Sequence, residues 1–386
     1  MKYPTEILQF AIPWIGKHIL HLSYEITVFT NGSGDTTYDY VIVLAIFSTA
    51  IIATVIWSII DGKRDNYVVW YYWLTVAVRF YIGLMLINYG LFKVVKLQFP
   101  SPGIYRLLQP YGESSPMGLA WTFLGFSKGY NFFMGVAELT AALLLFRRTM
   151  TAGAIVTLMT TTNVMAVNYF YDVPVKIIST ALVMMTLFLL AKDAKKLFRF
   201  FFTQGPVNLS VIPGPVITKR WIRIGMMCFK FVIIGYVVVS GAIGVITMDK
   251  QYGSNAPKPK LYGAYTVGSF MMSNNPSHSH TTDSARWKLF TIEWPGFAQV
   301  KYMNDSVKGF TMKLDTVEQT IDLSLATDYS KKYYFKYEIP DTSHFILRSK
   351  MTSDSVSIFF NKRNDLETFR LMNRRFNWIN EYPYNR

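Results

Sequence analysis

Several uninterrupted apolar runs of about twenty residues lie before position 250 and none lies after it, which divides the chain into a hydrocarbon-suited part and a water-suited part near Met248. Residues 41–60 carry no charge and stop at Asp61, Gly62, Lys63 and Arg64, predicting a first spanning helix. Further spans are expected at 67–92, which contains Arg79, and at 130–146, which contains Glu138 and ends on Arg147 and Arg148. The fourth is expected at 149–171, the fifth at 174–191 ahead of Lys192, Lys195, Lys196 and Arg199, and the sixth at 224–248 after Lys219, Arg220 and Arg223. Residues 8–30 are apolar in patches but broken by Lys17, His18, His21 and Glu25, so an amphipathic helix on the membrane surface is preferred there over another span.

Beyond Met248 the pattern changes twice. Residues 249–284, rich in Gly, Ser, Asn and Pro, show neither a helical nor a strand period and are expected to be a linker. From Arg286, short alternating runs separated by turn residues predict strands at 287–293, 298–303, 310–314, 320–325, 333–338, 345–349, 355–361 and 367–371. That number implies a small antiparallel barrel or sandwich, either holding a ligand or filled by its own side chains, with Arg374, Arg375, Phe376, Asn377 and Trp378 expected to plug one end. The fold class expected is therefore a membrane all-α bundle of about six transmembrane helices followed by an all-β domain. Its divisions are an N-terminal segment at 1–39, a bundle at 40–248, the linker at 249–284 and the β domain at 285–386.

A net charge of +15 raises nucleic acid as a partner, but the Lys and Arg residues cluster at the ends of apolar runs, where insertion machinery and anionic lipid act on them. No nucleic-acid motif accompanies them. The basic loops after the first, third and fifth spans fall on one side, predicted to be the cytoplasm of a bacterial inner membrane; residues 93–117, 168–174 and everything past Met248 then face the periplasm. The single Cys228 excludes an internal disulfide or a cysteine-held iron-sulfur cluster, and no histidine lies within the bundle to ligate haem. Ser277-His278-Ser279-His280 offers two imidazoles without further ligands, so no zinc site is expected.

Charges at membrane depth are costly alone, and helix rises from the presumed inner ends place Arg79 and Glu138 at similar depth, predicting that they pair inside the bundle. A structural clamp and a contact to substrate or quinone are both open to such a pair. Lys93, Asn168, Tyr171, Asp172 and Lys176, with Lys96 nearby, are expected to gather around an outward mouth beside the loop of Tyr111, Glu113 and Ser115, or else to anchor at headgroup depth. Asn88 and Asn163 are expected to form interhelical hydrogen bonds. Residues 31–39 are polar and glycine-rich but lack a following GK[ST], so a turn docking on the outer face is favoured over nucleotide binding.

The Arg79-bearing span followed by Gly90, Leu91, Phe92 and Lys93, then Gly135-Val136-Ala137-Glu138-Leu139, a leucine run and Arg147-Arg148, resembles the core of the DoxX family. Leu107-Leu108-Gln109-Pro110-Tyr111-Gly112, Ser115-Pro116-Met117-Gly118 and Tyr171-Asp172-Val173-Pro174-Val175-Lys176 are similar to the larger bacterial members, which add a soluble C-terminal domain. The resemblance covers about residues 67–200. It implies a quinone-linked membrane subunit of an oxidoreductase whose redox centre sits on a partner, since some members belong to thiosulfate:quinone oxidoreductase while most have no assigned reaction. The alternative is a non-enzymatic anchor or assembly factor whose periplasmic β domain binds a partner protein or a small apolar ligand. Transport is a poorer reading, because no internal repeat or broken pair of spans is evident. Larger relatives commonly carry a further apolar helix ahead of the position of Trp14, so the resemblance implies either a missing upstream helix or a translocated tail.

Overall fold

The computed structural model describes residues 3–28, 34–203, 205–209, 211–272, 286–349, 356–374 and 377–384. It divides into two compact units, one of residues 1–99 and 115–246, the other of residues 100–114 and 247–386.

The first unit is helical. Helix α1 (Tyr3–His18) is short, contains Pro13, and sets Ile12 and Ile15 against Val41, Ile42 and Ala45 of α2 (Thr37–Ile60). A capping box at Thr36 and Asp39 starts α2 by satisfying amide donors that have no partner within the helix. Helix α3 (Val68–Val94) follows. The short α4 (Ile104–Leu108) belongs to the second unit, and the chain returns as α5 (Pro116–Phe126), started by the Ser115 hydroxyl with proline in the first turn. Next come α6 (Lys128–Leu139), a 3₁₀ turn (Thr140–Leu145), α7 (Met150–Phe170), α8 (Lys176–Ala191), α9 (Ala194–Thr203) and α10 (Arg220–Tyr252).

Among the described residues, α2, α3, α7 and α10 are long and apolar enough to cross a membrane, and α8 with α9, bent by 81°, makes a fifth if the pair counts as one. The expected third span is not one α-helix, because the chain tightens from α to 3₁₀ geometry at Thr140. Ile82, Leu86, Leu144, Ala154, Leu182 and Leu189 form the core among α3, α7, α8 and the 3₁₀ turn. By contrast α2 and α10 leave most of their apolar surface open, with Ile51, Ile59, Ile60, Phe229, Val232 and Ile243 all exposed.

The second unit is a closed antiparallel barrel of eight strands, each paired to the next, with β1 closing on β8. The strands are β1 (Gly263–Met272), β2 (Trp287–Trp294), β3 (Phe297–Tyr302), β4 (Val307–Asp315), β5 (Thr320–Leu325), β6 (Asp328–Glu338), β7 (His344–Ser349) and β8 (Val356–Lys362). Alternate residues of β3 and β5 point inward, as the period of two requires. The interior is filled: Phe290, Phe310, Phe345 and Phe360 are all under 2% exposed, and the Tyr265 ring packs tilted or edge-on against Phe290, Phe345 and Phe360. A ligand-holding barrel is therefore not what these side chains build.

Three expectations for this region change. The linker contains β1, whose alternation is interrupted by a register shift between Val267 and Ser269, at Gly268. Residues 366–373 form a 3₁₀ turn and one helical turn, not an eighth strand, because Asp365 takes Arg363 and its carbonyl takes the Thr368 amide and hydroxyl. Trp378 is 90% exposed and plugs nothing, while Arg375, Phe376 and Ser277 to His280 lie outside the described residues.

Candidate functional site

Along α3, Arg79, Gly83, Leu86, Gly90 and Lys93 recur three or four residues apart and form one buried stripe. The same spacing on α6 buries Asn131, Gly135 and Glu138. Two glycines let the antiparallel helices touch backbone to backbone: a Cβ built on Gly135 would lie 2.8 Å from the Gly90 carbonyl oxygen and 2.7 Å from Val94 Cγ2. Lys93 and Glu138 share the buried faces of these glycines, and their long side chains span the contact, with Lys93 Nζ 2.5 Å from Glu138 Oε1 and both side chains at most 5% exposed.

This buried ion pair is not the predicted one. Arg79 lies 14 residues before Lys93, about 21 Å along the helix, and donates from Nε to the Leu144 carbonyl (2.7 Å) and from Nη2 to that of Leu145 (3.2 Å). The depth estimate fails because the inner ends of the two helices are not level: α3 begins eleven residues before Arg79, whereas the carbonyls that Arg79 meets end the other helix. Glu138 consequently meets α3 near its far end.

The pair is incompletely satisfied. Among the described residues Glu138 Oε2 is buried without a hydrogen-bond partner, as are Asn131 Oδ1 and Gln98 Oε1, while Asn131 Nδ2 donates to the Leu124 and Ser127 carbonyls. Lys93 Nζ also faces the rings of Tyr89 and Phe99, each 5.8 Å from the ring centre. Burying a carboxylate is tolerable only against a partner charge, and an unused lone pair beside that charge is a place for a hydrogen-bond donor from outside the chain.

The remaining predicted site residues gather apart from Lys93. At the turn between α7 and α8, Asn168 Nδ2 donates to the Val175 carbonyl (3.4 Å), Lys176 pairs with Asp172 (2.9 Å), and Tyr171 is part exposed. Asp35 accepts the amides of Lys176 (2.6 Å) and Ile177 (2.9 Å), and Gly34 donates to Pro174, so the 31–39 loop docks as a helix cap at this turn; Asn31 to Ser33 lie outside the described residues. Glu113 instead joins the barrel unit, where it meets Lys301 (3.4 Å). Asn88 and Asn163 are exposed and, among the described residues, form no interhelical hydrogen bond of the expected kind; Asn88 Oδ1 lies 2.9 Å from where a Cβ of Gly241 would stand. Lys93 as partner of Glu138 was missed; the available signal was that each shares the buried face of its helix with a glycine, Gly90 or Gly135.

In the barrel unit, the Glu293 carboxylate accepts the Ile104 amide at the start of α4. Burial raises its pKa above the usual carboxylate range against the lowering effect of the Ile104 and Tyr105 amides. The Tyr265 and Tyr302 phenols are pushed up to about 12, chiefly by burial. Among the described residues no group of three His, Cys, Asp or Glu side chains is arranged to hold a metal ion.

Fold and site together define a helical-bundle protein with a buried Lys–Glu pair and an appended closed β-barrel. Over 139 residues, 35% of this chain and 86% of the other, the chain is 36% identical to the uncharacterised protein YwoB of Bacillus subtilis (strain 168), and it belongs to the same family as that protein. No protein-family model and no solved structure matches it.

Proposed function

We propose that the chain is a DoxX-like, multipass protein of the bacterial inner membrane with its barrel on the periplasmic side, and that its bundle is the quinone-contacting subunit of an oxidoreductase whose redox centre lies on a partner. The exposed apolar faces of α2 and α10 support a bilayer as solvent, since such surface is otherwise left against water. The observation that carries the quinone reading is the unpartnered Glu138 Oε2 beside Lys93. Lys93 has ammonium donors for a carbonyl oxygen and Glu138 has a free acceptor for a hydroxyl, so the two fit a group that alternates between those forms. A quinone would supply two-electron, two-proton chemistry there. Glu138 would hold or release a proton at Oε2 while Lys93 keeps the carboxylate in place.

A second reading, a non-enzymatic anchor or assembly factor, draws support from the barrel. Closed and filled, it offers its outer surface to a protein partner. Purification in mild detergent with mass spectrometry of the bound components separates the two. Copurifying quinone, lost in Glu138→Gln, supports the first reading, and a stoichiometric protein partner without quinone supports the second. Orientation is tested separately by protease accessibility: cleavage of the barrel from the cytoplasmic side in sealed vesicles refutes the periplasmic placement.

A further inference from the structure

Far along the bundle from Lys93, three cations converge. Arg79, 4% exposed, and Arg147 line a small cleft with Tyr72, Thr75 and Met150, and Lys230 of α10, outside that lining, donates to the Leu145 carbonyl that Arg79 also meets (2.6 Å). Tyr72, Thr75 and Arg79 follow one another on one face of α3, so the cleft runs along the helix to the guanidinium. Arg147 stacks on Tyr72, 4.9 Å from the ring centre, and Lys230 stands 4.4 Å from that of Phe146. The three are close enough to repel one another, and among the described residues none has a carboxylate in an ion pair.

Each retains donors beyond those it uses. Arg79 spends Nε and Nη2 on carbonyls, Lys230 spends one of its three ammonium hydrogens, and Arg147 gives Nη2 to the Ile212 carbonyl (3.3 Å). Neighbouring cations with spare donors and no paired carboxylate among the described residues have the chemistry that recognises a phosphate oxyanion.

We propose that the cations around this cleft bind, at its open side, the phosphate of an anionic phospholipid headgroup. On the bilayer reading, on which this inference rests, the cleft lies at the end where the basic loops place anionic lipid: Arg147 and Met150 bracket the start of α7, and only uncharged residues follow Lys230 on α10 up to Asp249.

The test uses the full chain in nanodiscs of phosphatidylcholine with and without phosphatidylglycerol, reading thermal stability and retained lipid. The double variant Arg147→Gln with Lys230→Gln keeps a donor at each position, and Arg148→Gln removes a neighbouring charge outside the cleft. Phosphatidylglycerol should stabilise the wild type and remain bound through exchange into detergent, with apparent affinity falling about fivefold per cation removed in the double variant and little in Arg148→Gln. Equal losses in both variants, or no preference for phosphatidylglycerol in the wild type, overturn the site. Variant-sensitive stabilisation by inorganic phosphate alone overturns the lipid assignment in favour of a soluble phosphate ligand. Recovery of the chain without detergent would instead overturn the bilayer reading itself.

Discussion

Replacing Lys93 or Glu138 alone should be far worse than replacing both. With side chains 5% and 3% exposed, each charge relies on the other for its stabilisation. Lys93→Met would leave Glu138 with neither oxygen paired, because Oε2 already lacks a partner. Breaking a buried pair from one side costs about 3–5 kcal/mol, whereas exchanging both members for apolar residues of similar volume is often neutral. Methionine suits both positions, being unbranched and adaptable at a helix seam. Each single variant is therefore expected to lose about 3–5 kcal/mol and the Lys93→Met, Glu138→Met double variant about 1 kcal/mol or less. The assay is reversible denaturant unfolding in detergent micelles, completed as a double-mutant cycle. A double variant as unstable as the sum of the singles would refute the pairing. The parallel cycle of Arg79→Met with Glu138→Met should be additive within about 0.5 kcal/mol, since the two share no partner.

Gly135→Ala would put a methyl 2.8 Å from both the Gly90 carbonyl oxygen and the Val94 amide nitrogen, and backbone does not yield cheaply; a loss of about 1–3 kcal/mol in the same assay is expected. Asp35→Ala removes the acceptor of two amides at the start of α8 and should cost about 1–2 kcal/mol, against less than about 1 kcal/mol for Asp172→Ala, whose ion pair is exposed. For Glu293 the folded pKa is raised, so its contribution is complete below the unfolded pKa and is lost as pH rises through the folded one. Unfolding of the barrel, followed by tryptophan fluorescence, should weaken across that window in the wild type and stay level in Glu293→Gln. Exposed Asp305 and Asp341, lowered by hydrogen bonds to Lys288 and His344 first of all, act oppositely: their contribution is lost as pH falls through their folded pKa values.

The barrel was legible from the sequence wherever strict alternation survives. Residues 298–302 and 320–325 place every second side chain inside, and their strands fall almost where expected. Strand β1 was hidden because its bulge at Gly268 shifts the inward face by one residue midway, which erases a period of two. In the bundle, hydropathy located α2, α3, α7, α8 and α10 but neither α5 nor the break after α6, and it gave no relative depth. Equal inner ends were assumed for α3 and the helix carrying Glu138, and the partners of Arg79 and Glu138 were misassigned for that reason. The glycines of the contact register, Gly90 and Gly135, were in plain view as family-like positions, but their steric meaning needs the two backbones side by side.

The cation cleft has a structural cause that must be separated from its proposed use. Where α6 tightens into the 3₁₀ turn and ends, the carbonyls of Leu144 and Leu145 take donors from Arg79 and Lys230, while that of Leu143 takes the Phe146 amide and the Thr149 hydroxyl. Cations suit such an end because helix carbonyls carry partial negative charge. Capping, however, needs hydrogen-bond donors and about half a unit of positive charge, which one guanidinium already provides. Lys230 adds a second full charge at the same carbonyl as Arg79, and Arg147 adds a third on the cleft wall without touching the helix end. That surplus is what the proposed lipid contact would use. A chain that kept its fold and its lipid preference after Lys230→Gln and Arg147→Gln would show that capping alone explains the cluster.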